Sequence, residues 1–139
     1  MSTDLVIETR ITDGSRAPET VASRTFTYTE QRVYGSILNN AAAVLWDAAA
    51  SGSLAAFDVL TLVSDQPVEL ELTIKEGDAA EELVSLTLAK NTALVLGGNA
   101  ARYNHSASDA FAGTLDVIDK IRAKELNSVA ATITLTLYT

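Results

Sequence analysis

Three stretches of the chain keep a strict two-residue rhythm. Val68, Leu70, Leu72 and Ile74 alternate with Glu69, Glu71 and Thr73; Val84, Leu86 and Leu88 alternate with Ser85 and Thr87; Ile133, Leu135 and Leu137 alternate with Thr134 and Thr136. Successive strand side chains point to opposite faces, so this pattern puts Val, Leu and Ile on a core and Thr, Ser and Glu toward water. It predicts half-buried antiparallel strands.

The remaining segments are read against that frame. Leu5, Ile7 and Ile11 alternate with Glu8 and Arg10, giving a first strand that ends at the turn pair Asp13-Gly14. Residues 15–22, with Pro18, read as a loop, and residues 24–34, rich in Thr and aromatics, as a strand closed by Gly35. Alanine clusters surround Val44-Leu45-Trp46-Asp47 and favour helix, yet no helical apolar stripe or cap accompanies them. A short strand over 43–47 and a loop through Ser51-Gly52-Ser53 are expected. Residues 57–63 are nearly all apolar, which suits a strand covered on both sides. Residues 83–89 and 94–96 are expected to form a hairpin across Lys90-Asn91, since Asn tolerates left-handed turn geometry. Gly97-Gly98 opens a polar loop to Asp109. In 115–126, Ile118 breaks the parity of Leu115, Val117 and Ile121, so helical spacing competes with strand there. Asn127-Ser128 turns into a last strand.

About eight or nine strands at this spacing, without a long amphipathic helix, indicate an all-β chain: an antiparallel β-sandwich of jelly-roll type. At 139 residues it is read as a single domain, 1–139, with residues 1–22 as an extended N-terminal arm.

The net charge of −8, from 10 Lys and Arg against 18 Asp and Glu, argues against nucleic-acid binding, which needs clustered cations. Lys120, Arg122 and Lys124 share one strand face but sit among Asp116, Asp119 and Glu125, and read as a solvated surface. Only 20% of residues are charged while 47% are hydrophobic, lean for a monomer that must coat its whole surface, so a partner is expected to cover part of it. The absence of cysteine excludes disulfides and thiolate chemistry. The beginning Met1-Ser2-Thr3-Asp4 lacks the pattern of a secretory signal, and no run reaches the ~18 apolar residues of a membrane helix. The chain is therefore read as soluble, unprocessed and not membrane-bound.

Candidate chemistry is sparse. His105 is the single histidine, in Asn104-His105-Ser106 with Asp109 nearby, but no HExxH or GxSxG context surrounds it. Glu69 and Glu71 share a strand face with backbones ~7 Å apart, a spacing that overlaps glycosidase carboxylate pairs. Alternating Glu and Thr on a water-facing strand also has the simpler meaning of a soluble edge-protected sheet. Acidic loops at Asp13, Asp65 and Asp78 lack calcium-loop spacing, and Gly97-Gly98-Asn99 lacks the Lys of a phosphate loop. No cofactor, metal or catalytic residue is expected. Trp46 reads as a core residue, whereas Tyr34, beside Gly35, and Tyr103, in a loop, are the exposed tyrosines and interface candidates.

Several segments, in order, resemble small structural proteins of tailed-phage virions. They are Val44-Leu45-Trp46-Asp47, Phe57-Asp58-Val59-Leu60-Thr61-Leu62, the strand with Glu69 and Glu71, Leu94-Val95-Leu96-Gly97, Tyr103-Asn104, and residues 113–121 leading into a final hairpin, spanning about two-thirds of the chain. The resemblance implies a non-enzymatic capsid decoration (cement) protein that binds the major capsid protein on the outer shell and self-associates as a homotrimer, made in the host cytoplasm. An acidic chain inside a DNA-filled shell would add repulsion, which favours the outer surface. Two alternatives stay open: a tail, neck or fibre-attachment protein, and a carbohydrate-binding sandwich.

Overall fold

In the computed structural model, which describes residues 1–11, 19–74, 82–97, 103–104 and 115–139, every regular element is a strand. They are β1 (Thr3–Ile11), β2 (Glu19–Tyr28), β3 (Gln31–Leu38), β4 (Ala43–Asp47), β5 (Val59–Ser64), β6 (Val68–Ile74), β7 (Glu82–Leu88), β8 (Ala93–Gly97), β9 (Tyr103–Asn104), β10 (Leu115–Asp116), β11 (Ile118–Glu125) and β12 (Ala131–Tyr138). The fold is all-β with antiparallel sheets packed in layers, as the alternation predicts.

The chain divides into two units, Met1–Gln31 and Arg32–Thr139. The first is a hairpin of β1 and β2, with Leu5 opposite Phe26, Ile7 opposite Arg24 and a bulge between Thr9 and Arg10. Asp4 accepts a 2.9 Å hydrogen bond from the Thr27 hydroxyl across it. Two expectations change here. The loop assigned to 15–22 gives way to strand from Glu19 onward, because pairing with Arg10 and Ile11 carries those residues into β2. The strand expected over 24–34 is two strands, and β3 runs through Gly35, where a Cβ would meet open space.

In the second unit, two four-stranded sheets, β4-β11-β6-β7 and β3-β12-β5-β8, face each other over one core. Leu70, Leu72 and Ile121 from the first sheet and Leu62, Ile133 and Leu135 from the second are almost wholly buried in it. A small pair, β9 with β10, stands apart in hydrogen bonding. The parity break at Ile118 is a β-bulge. Ile118 pairs with Ile74 and Lys120 with Thr73, so Asp119 is the extra residue and both Ile118 and Ile121 turn inward. A second bulge opposes Ile121 to Trp46 and Arg122 to Val44, which lets Leu45 and Trp46 both reach the core. Trp46 meets Phe57 edge to face at 5.1 Å and its indole N–H donates to the Leu54 carbonyl at 3.0 Å. That is the buried-core role expected for it, and strand 43–47 followed by the Gly52 turn is as expected.

The expected hairpin across Lys90-Asn91 does not form. β7 pairs with β6 and β8 with β5, so this connection carries the chain from one sheet to the other. The final hairpin is absent for the same reason, β11 and β12 lying in opposite sheets. Asn91 does adopt the left-handed conformation (φ 56°), as do Asn40 (φ 59°) and Ser128 (φ 54°). All three sit in connections that change sheets, where a sharp reversal must be made without a pairing ladder to guide it.

The first of these crossovers is held by Glu125. It is 95% buried, and its Oε1 accepts from the Asn40 backbone N–H at 2.6 Å. Replacing it by leucine strands that N–H, at a cost of about 1–3 kcal/mol. Glu125→Leu should lower the urea midpoint followed by Trp46 fluorescence, whereas Glu125→Gln, which keeps an acceptor oxygen, should recover most of the loss.

Candidate interaction faces

The two sheets bury their inner faces on each other, so whatever the sandwich presents to a partner comes from its outer faces, edges and loops. The outer faces differ in kind. On β4-β11-β6-β7 the register sets Lys124 opposite Glu69, Arg122 opposite Glu71 and Lys120 opposite Thr73, with Lys120 opposite Asp47 on its other side. Arg122 Nη1 donates to Glu71 Oε1 at 2.8 Å, and Lys120 Nζ lies 3.2 Å from Asp47 Oδ2. The basic stripe and the acidic pair read separately in the sequence are thus neighbours on adjacent strands. Around them is an open depression of ≈ 120 Å³ lined by Glu69, Glu71, Ser85, Arg122 and Lys124.

The arrangement is that of a cross-strand charge ladder. Glu71 is engaged by a guanidinium, so its carboxylate is taken up as an ion-pair partner. Among the described residues no group of three or more His, Cys, Asp or Glu is placed to hold a metal ion. His105 and Asp109 lie outside the described residues, as do Asp13, Asp78 and most of the polar loop after Gly97.

Among the described residues, the strands of the β3-β12-β5-β8 sheet project no charged side chain from their outer face. Val33, Gly35 and Ile37 project from β3, Thr132, Thr134 and Thr136 from β12, Thr61 and Val63 from β5, and Ala93 and Val95 from β8. Val33 is 61% exposed, Ile37 72%, Val63 48% and Val95 44%. At one end of this face the cross-strand pair Val59 and Tyr138 is buried. The expectation that residues 57–63 are covered on both sides therefore holds at Val59 and Leu60 and fails at Val63. The uncharged face was missed in the sequence, because it is assembled from four strands that lie apart along the chain.

Of the two interface candidates, Tyr34 is turned inward by the parity of β3. It is half-buried against the core, with its hydroxyl oxygen sealed from solvent. The exposure expected of it is not met, since Gly35, not Tyr34, takes the outward position. Tyr103 stands in β9 with its backbone opposite Asp116, a strand where a loop was expected, and its side chain lies outside the described residues. Among the described residues no helix is long and apolar enough to cross a membrane. The chain matches no protein-family profile, no curated protein and no solved structure.

A half-exposed ion pair contributes roughly 0.2–1 kcal/mol, and like charges directly opposite destabilise by a similar amount. Arg122→Glu should therefore destabilise the fold, and the charge-swapped pair Arg122→Glu with Glu71→Arg should restore most of it. A double-mutant cycle in urea reads the coupling, and strict additivity of the two changes would show that the ladder is electrostatically silent.

Proposed function

We propose that this chain is a non-enzymatic structural protein of a tailed-phage virion, a capsid decoration protein that binds the major capsid protein on the outer shell and self-associates as a homotrimer. The observation that carries the reading is the coincidence of the virion-like segments with the strands of a two-sheet sandwich. Val44–Asp47 coincides with β4, residues 59–62 of the second segment fall on β5, Glu69 to Glu71 on β6, residues 94–97 on β8, and residues 115–116 and 118–121 of the last segment on β10 and β11. The strand order adds support. Counting β3 to β8, β11 and β12 as strands 1 to 8, the sheets run 1-8-3-6 and 2-7-4-5, the order expected of the two interlocked Greek keys of a jelly roll.

The mechanism in this reading is mechanical. A stiff slab seated at capsomer junctions makes many weak contacts, and symmetry repeats them until their sum opposes the outward pressure of packaged DNA. The net charge of −8 suits an outer position, since the same protein facing the packaged DNA meets a like-charged polymer.

Purified protein added to capsids stripped of accessory proteins should co-sediment with them at a saturating stoichiometry and raise the temperature at which they release DNA. A chain that is monomeric in solution and stays in the supernatant contradicts the reading. Gold labelling of intact particles at the tail or neck instead of the shell favours the tail alternative, and a glycan-array signal lost on Tyr103→Ala favours the carbohydrate-binding one.

A further inference from the structure

We infer that the uncharged outer face of the β3-β12-β5-β8 sheet is the docking face for the N-terminal hairpin of a second copy of this chain. The inference deepens the self-association part of the proposed function and does not depend on what the assembly is attached to.

The hairpin supplies the first half of the argument. Its register puts Leu5, Ile7, Phe26 and Tyr28 on one face, all partly buried, and Asp4, Val6, Glu8, Ser23, Thr25 and Thr27 on the other, all exposed. A two-stranded ribbon is marginal in water and needs a third strand or a second layer against its apolar side. The sheet supplies the second half. Copies of a chain with net charge −8 repel one another, so contact is cheapest where no carboxylate has to be desolvated. The β3-β12-β5-β8 face meets that condition. Between Thr3 and Glu8 and between Ser23 and Tyr28, the one charge that shares the face of Leu5, Ile7 and Phe26 is a cation, Arg24 opposite Ile7, which an acidic neighbour attracts.

Shape and size agree. Val33, Ile37, Thr61, Val63, Thr132, Thr134 and Val95 are β-branched, so they lose little rotamer freedom when covered. With strands ~4.8 Å apart and a rise of ~3.4 Å per residue, the ribbon covers roughly 250 Å² in projection, so one contact removes about 500 Å² from water counting both surfaces, and the two reciprocal contacts of an exchanged dimer together remove about 1,000 Å², the lower edge of specific interfaces. Thr29 and Glu30 alone link Tyr28 to Gln31, a reach of at most roughly 10 Å. A hinge this short is a common setting for exchange of an element between copies of a chain.

The chain contains no cysteine, so the test is clean. Sedimentation should show the unmodified protein as an oligomer, and Val63→Glu, whose side chain faces out beside Thr134 and Ala93, should weaken association at least tenfold with an unchanged circular dichroism spectrum. Isotope-labelled Ile7→Cys mixed with unlabelled Val63→Cys should give a cross-chain adduct with a short thiol cross-linker. An oligomer untouched by Val63→Glu overturns the inference but leaves self-association standing. An adduct formed only within single chains carrying both cysteines assigns the face to the chain's own hairpin. A monomer whose co-sedimentation with capsids is lost on Val63→Glu gives the face to the shell. A monomer indifferent to the substitution removes both the inference and the self-association it rests on.

Discussion

Everything in the sandwich depends on one layer of apolar side chains shared by two sheets. Because strand side chains alternate, committing Leu70, Leu72, Ile133 and Leu135 to that layer also commits Glu69, Glu71, Thr134 and Thr136 to the outside. A slip of one residue would exchange the two sets in every strand concerned, burying the Glu69 and Glu71 carboxylates and exposing leucines. The core therefore sets register, and register in turn sets which charges meet on the surface. Where the sequence does not alternate, the backbone adapts, as the bulges at Asp119 and Leu45 keep two consecutive or near-consecutive apolar residues on one side.

The same core explains which parts of the architecture could be read in advance. Strands with clean alternation, β6, β7 and β12, appear within a residue or two of where the pattern puts them, because a local signal is enough to decide them. Pairing partners are not local. The segment around Asn91 has the left-handed turn residue of a hairpin and is a crossover, since alternation says which way a side chain faces but not which of two sheets receives the strand. Ile118 misled in the opposite way. Its helical spacing to Leu115 and Ile121 is the footprint of a bulge, visible only once Ile74 and Thr73 are seen opposite it.

The surface obeys the same division. Glu71 and Arg122 are 51 residues apart in sequence, so each could be placed on a polar strand face while their meeting could not. The uncharged face is assembled from four separated strands, and in each of them two or three uncharged residues at alternate positions are what any solvated strand shows. Only the topology that lays β3, β12, β5 and β8 side by side turns four ordinary patterns into one neutral surface. Tyr34 illustrates the limit at a single residue. Its neighbour Gly35 suggested an exposed turn, but β3 continues through the glycine and its parity takes the ring inward.

A consequence follows for how such a protein evolves. Folding draws on inner-face residues, with each near-complete burial of a leucine worth on the order of 1.5–3 kcal/mol. Association, by contrast, can draw only on what the core leaves outside. Val33, Ile37, Val63 and Val95 are exposed in the single chain, so replacing them by threonine or serine costs the fold little while altering what the face can hold. As apolar residues on an open sheet they are an aggregation hazard for the isolated chain. That hazard disappears if the face is covered as soon as copies meet, and the hairpin, whose Leu5, Ile7, Phe26 and Tyr28 share one face, is an apolar element that every copy carries with it.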